Sequence, residues 1–175
     1  MNHRNKIIVG LLIMSQLSFA KSNTEKIGDF LTFAIPAVAY GSTFYFDDAE
    51  GRTEFYKAYG TTMASTVALK YTVKEKRPDN NDRDSFPSGH TASAISGATF
   101  MHRRYGLVRA LPFYAAAIYT GYSRIQVNRH HPRDVLAGAV ISGLASWYFV
   151  DEKKNLNITP VVDSAYQGVS VNYRF

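Results

Sequence analysis

Between Thr53 and Tyr71, large apolar and aromatic residues fall at Phe55, Tyr59, Met63, Val67 and Tyr71, one every four positions. A repeat near 3.6 residues lines one face of an α-helix and does not suit a strand, whose period is two. The stretch reads as an amphipathic helix, with Thr53 and Glu54 as its start signal. Its neighbours also have helical length. Ile27 to Phe46 is apolar, with Asp29 near its start and a kink or break expected at Pro36. Ser88 to Met101 is rich in Ala, Ser and Gly, small residues that let neighbouring helices approach closely. Leu107 to Tyr122 follows, and Pro132 opens a last apolar run to Val150. Polar connectors separate these segments at 47–51, 72–86, 102–106 and 123–131. The expected fold is all-α, a compact bundle of about five to six helices. After Asp151 the pattern changes. Leu156 to Val162 is strand-like, and Gln167 to Phe175 alternates Val169, Val171, Tyr173 and Phe175 with polar residues. The two pieces can pair as a short C-terminal β-hairpin.

A chain of 175 residues suffices for one domain and is short for two. It has no cysteine, which excludes disulfides, thiolate metal sites and cysteine nucleophiles. The formal charge of +6 fits anionic partners such as phosphorylated substrates or anionic lipid. No long Lys/Arg block appears, so nucleic acid is not read as a partner. The N-terminus has the layout of a secretory signal: Arg4 and Lys6, an apolar core from Ile7 to Leu17, then Ser18-Phe19-Ala20. Residues 1–20 are read as a signal peptide cleaved after Ala20, an uncleaved anchor being the other reading. The domain then covers 21–155 and the tail 156–175, in the bacterial periplasm or cell envelope. The apolar segments carry charges (Asp29, Glu54, Lys57, Arg109), and several are shorter than the roughly 20 residues of a membrane span. With a mean hydropathy of -0.18, this favours a water-soluble or peripherally attached bundle. Segment 135–150 is the best candidate for a span.

Three polar sites punctuate the helices: Lys70 with Arg77-Pro78, then Pro87-Ser88-Gly89-His90, then Ser123-Arg124 with His130 and Asp134. Each lies at a helix end or in a connector, and an antiparallel bundle can bring all three to one end. Their chemistry is coherent. Lys70, Arg77 and Arg124 suit phosphoryl oxygens, the arginines as planar forks and the lysine as a point charge. Serine can cap a helix start, and N–H groups at Ser88 and Gly89 would add neutral donors. Two histidines can divide the work of attacking phosphorus and protonating the leaving oxygen. A carboxylate on the far nitrogen of the attacking imidazole would fix its tautomer. Taken singly, each residue has an ordinary explanation: a helix-end lysine, solvated arginines, a surface histidine, an aspartate favouring a helix start. His130 and His131 could be a metal pair, but no further ligand at the usual spacing completes a site.

Together the residues resemble the type 2 phosphatidic acid phosphatase family, which also includes class A bacterial acid phosphatases and vanadium haloperoxidases. The family pattern is Lys-x6-Arg-Pro, Pro-Ser-Gly-His and Ser-Arg-x5-His-x3-Asp. The chain matches it in order with Lys70, Arg77-Pro78, Pro87-Ser88-Gly89-His90, Ser123-Arg124, His130 and Asp134. The resemblance covers residues 70–134 and implies a helical bundle. It also implies phosphate binding by Lys70, Arg77, Ser88, Gly89 and Arg124, with His90 as general acid and His130 as nucleophile. A phosphohistidine would form, and Asp134 would orient His130. Ser123 would have a supporting role. The implied activity is a phosphatase needing no metal or other cofactor, acting on a phosphomonoester or a lipid (pyro)phosphate, with membrane association open. Two alternatives are a vanadate-dependent haloperoxidase, whose members are usually much larger, and a non-enzymatic envelope protein.

Overall fold

Five helices form where the apolar segments lie. In the computed structural model they are α1 (His3–Tyr45), α2 (Ala49–Val73), α3 (Gly89–Tyr105), α4 (Leu107–Gln126) and α5 (Pro132–Phe149). Two strands follow, β1 (Leu156–Val162) and β2 (Gln167–Tyr173), paired antiparallel from Leu156 opposite Tyr173 to Val162 opposite Gln167. The structure describes residues 3–153, 156–162 and 167–173, with side chains from 23 to 153 and 167 to 170. Arg174 and Phe175, read as the end of the second strand, lie outside the described residues. The fold is the expected all-α bundle, with the hairpin as its appendage.

The small-residue helix is the central one. α3 packs against α1, α2, α4 and α5. Ala92, Ala94, Ala98 and Phe100 on it are fully buried. At Gly97 a side chain would begin 3.0 Å from the Pro36 backbone, so α1 and α3 touch nearly main chain to main chain. α1 runs through Pro36 without the break that was one of the two expectations there. The apolar core has two parts. One gathers Ala39, Phe55, Ala58, Phe100, Met101, Tyr105, Ala110 and Val150; the other gathers Ile35, Ala94, Ile95, Ala98 and Ala117.

The four-residue stripe on α2 behaves differently from its reading. Phe55 is buried, but Val67 is 46% exposed and Tyr71 75% exposed. A helix turns about 100° per residue, so a strict four-residue repeat precesses by about 40° per step. Over the four steps from Phe55 to Tyr71 it walks off the core face. The buried line is instead Gly51, Glu54, Phe55, Ala58, Thr62 and Thr66. α2 also starts earlier, at Ala49, because the Asp48 carboxylate accepts the Gly51 N–H and caps the helix. The expected turn at 102–106 shrinks to Gly106, and residues 123–126 belong to α4 rather than to a connector.

At the end of α3 remote from His90 sits a buried charge cluster. The Arg104 guanidinium donates to both oxygens of Asp48 at 2.6 and 2.8 Å, to Glu54 at 3.1 Å and to the Asp151 carbonyl at 3.1 Å. Tyr105 also donates its hydroxyl to Asp48 at 2.9 Å. Burial works against the Asp48 charge, but the Arg104 and Gly51 donors outweigh it and hold the carboxyl at about 2. One side chain thus ties the α1–α2 corner, α2, α3 and the chain leaving α5.

Removing one partner of such a cluster strands the others in a dry site. Arg104→Ala is expected to cost about 3–5 kcal/mol of stability, read from denaturant unfolding. A loss within experimental error would show that water enters the cluster freely.

Candidate active site

The three motif segments converge at one end of the bundle. His90 is the second residue of α3, Arg124 lies in the last turn of α4, and His130 stands in the turn before α5. Arg77, His90, Arg124 and His130 line one cleft of about 330 Å³, together with Glu25, Asp29 and Arg129. Lys70 and Asp134 are not among its lining residues; Asp134 is fully buried. Local chemistry explains the placements. Ser88 is the N-cap of α3, its hydroxyl accepting from the Thr91 N–H at 3.4 Å and hydroxyl at 3.0 Å. The Ser88 N–H donates to the Asp134 carbonyl at 3.0 Å, so this serine faces inward. α5 can come this close because residue 138 is glycine: a Cβ there would lie 2.7 Å from the Ser88 carbonyl oxygen. Gly89 is half-buried, and the side it leaves bare faces the Lys70 Cε.

His130 is held from behind. Its Nδ1 lies 2.7 Å from the Ser85 carbonyl oxygen and 3.7 Å from Asp134 Oδ2. A carbonyl only accepts, so Nδ1 carries the proton and Nε2 keeps its lone pair. The carboxylate acts one residue removed. Asp134 Oδ2 accepts from the Ser85 hydroxyl at 2.5 Å and from the His131 N–H at 2.8 Å. Burial opposes the Asp134 charge, but those two donors prevail and hold its carboxyl below the ordinary value. Ser85 is therefore the hub. It is fully buried; its N–H goes to the Glu75 carbonyl, its hydroxyl to Asp134, and its carbonyl receives His130. Burial, with the cations Lys70 and Arg77 adding, pushes the His130 imidazole down to about 4.

Each cation of the site meets a local anion or carbonyl. Arg77 pairs with Asp84 at 2.8 and 3.1 Å and with Asp82 at 3.4 Å. Lys70 donates to the Asp84 carbonyl, and burial lowers its pKa. Arg124 donates to Asp29 at 2.7 Å, to the Glu25 carbonyl at 2.8 Å and to the Ser123 hydroxyl at 3.0 Å. His90 Nε2 lies 3.1 Å from the same Asp29 oxygen. Burial and the nearby Arg124 charge lower the His90 pKa, and Asp29 works the other way. Arg129 reaches Glu25 at 3.3 Å and Asp79 at 3.6 Å. Glu75, His131 and Asp134 bring one potential metal-ligand atom each within 4.8 Å of one another, a grouping the spacing argument missed because Glu75 lies far away in sequence. Arg133 reaches the same Glu75 carboxylate.

Sequence reasoning did not single out Ser85, Asp29, Glu25, Asp84 or Arg129 as site residues. Ser85 stands two places before the motif proline, and its role runs partly through its main chain. Asp29 registered only as a charge in an apolar segment.

The PAP2 superfamily model matches residues 54–156. The lipid A 4'-phosphatase of Helicobacter pylori is 31% identical over 159 residues, covering 83% of this chain and 80% of that protein. The lipid A 1-phosphatase of Porphyromonas gingivalis is 46% identical over 79 residues, 42% of this chain; the chain spans only 17% of that relative's length. The undecaprenyl-diphosphatase BcrC of Bacillus subtilis is 35% identical over 84 residues, covering 46% of this chain and 41% of that protein. The crystal structure of Aquifex aeolicus LpxE superposes with a TM-score of 0.63 at 23% identity, over 74% of this chain and 84% of that one, and shares the helical fold.

A His130 imidazole depressed to about 4 is neutral between pH 4 and its ordinary 6.5, where the unfolded chain is charged. The unfolded state then binds more protons, so this group's contribution to stability is complete above 6.5 and fades as pH falls through 6.5 toward 4. An NMR titration should place the His130 ring midpoint near pH 4. A midpoint at the ordinary histidine value would contradict the buried, cation-flanked setting.

Proposed function

The chain belongs to the PAP2 superfamily and is a phosphatase of that family, and from this premise we propose that it hydrolyses a lipid (pyro)phosphate or phosphomonoester through a phosphohistidine at His130. The observation that carries the reading is the tautomer of His130. With Nδ1–H spent on the Ser85 carbonyl, a neutral imidazole offers the Nε2 lone pair toward a cleft lined by Arg77, Arg124 and His90.

Lys70, Arg77, Arg124 and the α3 start at Gly89 would hold the phosphoryl oxygens, with Ser88 fixing that helix start as its cap. As the His130 Nε2–P bond forms, the P–O bond to the leaving group breaks. The electron pair goes to the leaving oxygen, which takes the His90 proton. Water then attacks phosphorus, His90 accepts the water proton, the N–P bond breaks and inorganic phosphate leaves. Three fixed cations supply the charge stabilisation that a metal supplies in other phosphatases, so the reaction needs no metal ion. Asp134 acts on His130 through Ser85, keeping the carbonyl aimed at Nδ1.

A lipid substrate is favoured by the outer surface. Large apolar side chains are exposed on α1 (Phe30, Phe33), α4 (Ile118, Tyr122) and α5 (Leu136, Val140), within a few turns of the site residues on those helices. Exposed apolar area of this kind marks contact with a partner or a membrane. Among the described residues no helix is long and apolar enough to cross a membrane. The bundle would sit against the lipid surface of the bacterial envelope, exported by the signal at residues 1–20. Lipid A phosphates and polyprenyl pyrophosphate are the substrate classes to try first, as the named relatives act on such lipids.

His130→Ala should lower kcat by at least about a thousandfold, and the phosphoryl label trapped on wild type by an alkaline denaturing quench, which spares an N–P bond, should be lost in the variant. Retained turnover would refute the nucleophile assignment. EDTA should leave hydrolysis unchanged, and vanadate should inhibit competitively with substrate. Loss of activity in EDTA, restored by a divalent ion, would overturn metal independence.

A further inference from the structure

We propose that Asp29 on α1 is a positioning residue of the phosphatase site, holding the Arg124 guanidinium and the His90 imidazole in place through one carboxylate oxygen. The proposal rests on the phosphatase reading and adds a residue from outside the matched motifs. Arg124 is 2% exposed, and a guanidinium that dry needs a counter-charge. Asp29 Oδ1 supplies it from 2.7 Å, in the place where α1 crosses the end of α4. The crossing is built for this contact. Residue 28 is glycine, and a Cβ there would lie 2.1 Å from Ser123 Oγ and 2.5 Å from Arg124 Nη2. A guanidinium has five N–H donors. Asp29, the Glu25 carbonyl and Ser123 engage three, one on each nitrogen, so the fork is fixed while donors remain for a phosphoryl group.

The same oxygen reaches His90 Nε2 at 3.1 Å. The charged groups facing the cleft around His90 are Asp29 and Glu25 from α1, Arg77 from the α2–α3 connector, Arg124 from α4, and Arg129 and His130 from the turn before α5. Burial, and after it the arginines, drive a proton off His90, and the carboxylate in direct contact retains it. A general acid must still hold its proton when the leaving oxygen needs it. Asp29 therefore extends the pH range over which His90 can act, and it aims the ring.

The test compares wild type, Asp29→Asn and Asp29→Glu on two substrates: an alkyl phosphate, whose leaving oxygen needs a proton, and p-nitrophenyl phosphate, whose leaving group does not. Asp29→Asn should lower kcat on the alkyl ester by about tenfold to a hundredfold, with KM unchanged or lower. On p-nitrophenyl phosphate, which reads the hold on Arg124 without the proton transfer, the loss should be at least about threefold smaller than on the alkyl ester. The alkaline limb of kcat/KM on the alkyl ester should move toward acid by about one pH unit, and Asp29→Glu should restore part of it. Vanadate binding, followed by thermal shift, reports that each variant is folded. Equal losses on both substrates with an unmoved pH limb would overturn the Asp29 assignment while leaving the phosphatase standing. A wild-type protein that hydrolyses neither substrate would overturn both.

Discussion

A carboxylate sealed from water must be met by donors, and at Asp134 that requirement organises the site. Its Oδ2 draws in the Ser85 hydroxyl and the His131 N–H, while its own carbonyl receives the Ser88 N–H. These bonds clamp the end of the 74–88 connector against the start of α5. Once Ser85 is pinned, its carbonyl stands where His130 Nδ1 must donate, and the ring's protonation follows. The tautomer of one imidazole is thus set by a chain of two hydrogen bonds that begins at a buried charge. Both donors go to one oxygen, and Oδ1 of the same carboxylate is buried with no hydrogen-bond partner among the described residues.

The helices were legible because apolar runs of the right length alternate with polar connectors, and that pattern survives any detail of packing. Which face of a helix is inside was less legible. The Phe55–Tyr71 repeat looked like a core stripe, yet its period exceeds the helical one, and two threonines replace it at the interior. Helix limits shifted for a local reason too: the Asp48 cap and the packing of α3 extend helices into residues that read as turns.

The motif residues could be named from the sequence because their order and spacing resemble the family pattern. Ser85 and Asp29 could not. Ser85 holds His130 by a carbonyl that every residue has, so no side-chain pattern announces it. Asp29 matters only because Gly28 lets α1 lie flush against Arg124, an approach between segments almost a hundred positions apart. Arg104 is a comparable case at the other end of α3. Its three acidic partners come from around the α1–α2 corner, and in the chain it is one basic residue among several in a polar stretch.

The pairing of every cation in the cleft bears on how the reaction ends. A pocket of bare Lys70, Arg77 and Arg124 would grip inorganic phosphate as firmly as substrate, and turnover would stall on product. Here Asp84 and Asp29 already occupy donors of the two arginines, and a departing anion leaves behind contacts that re-form within the protein. The carboxylates lower the net grip on any phosphate, and on the proposed lipid substrate the tail would make up the difference on entry. Once the tail has gone, the released ion has only the weakened pocket to hold it. If the substrate is the proposed lipid phosphate, the same acids that fix the arginines would favour entry of the lipid over retention of the released phosphate.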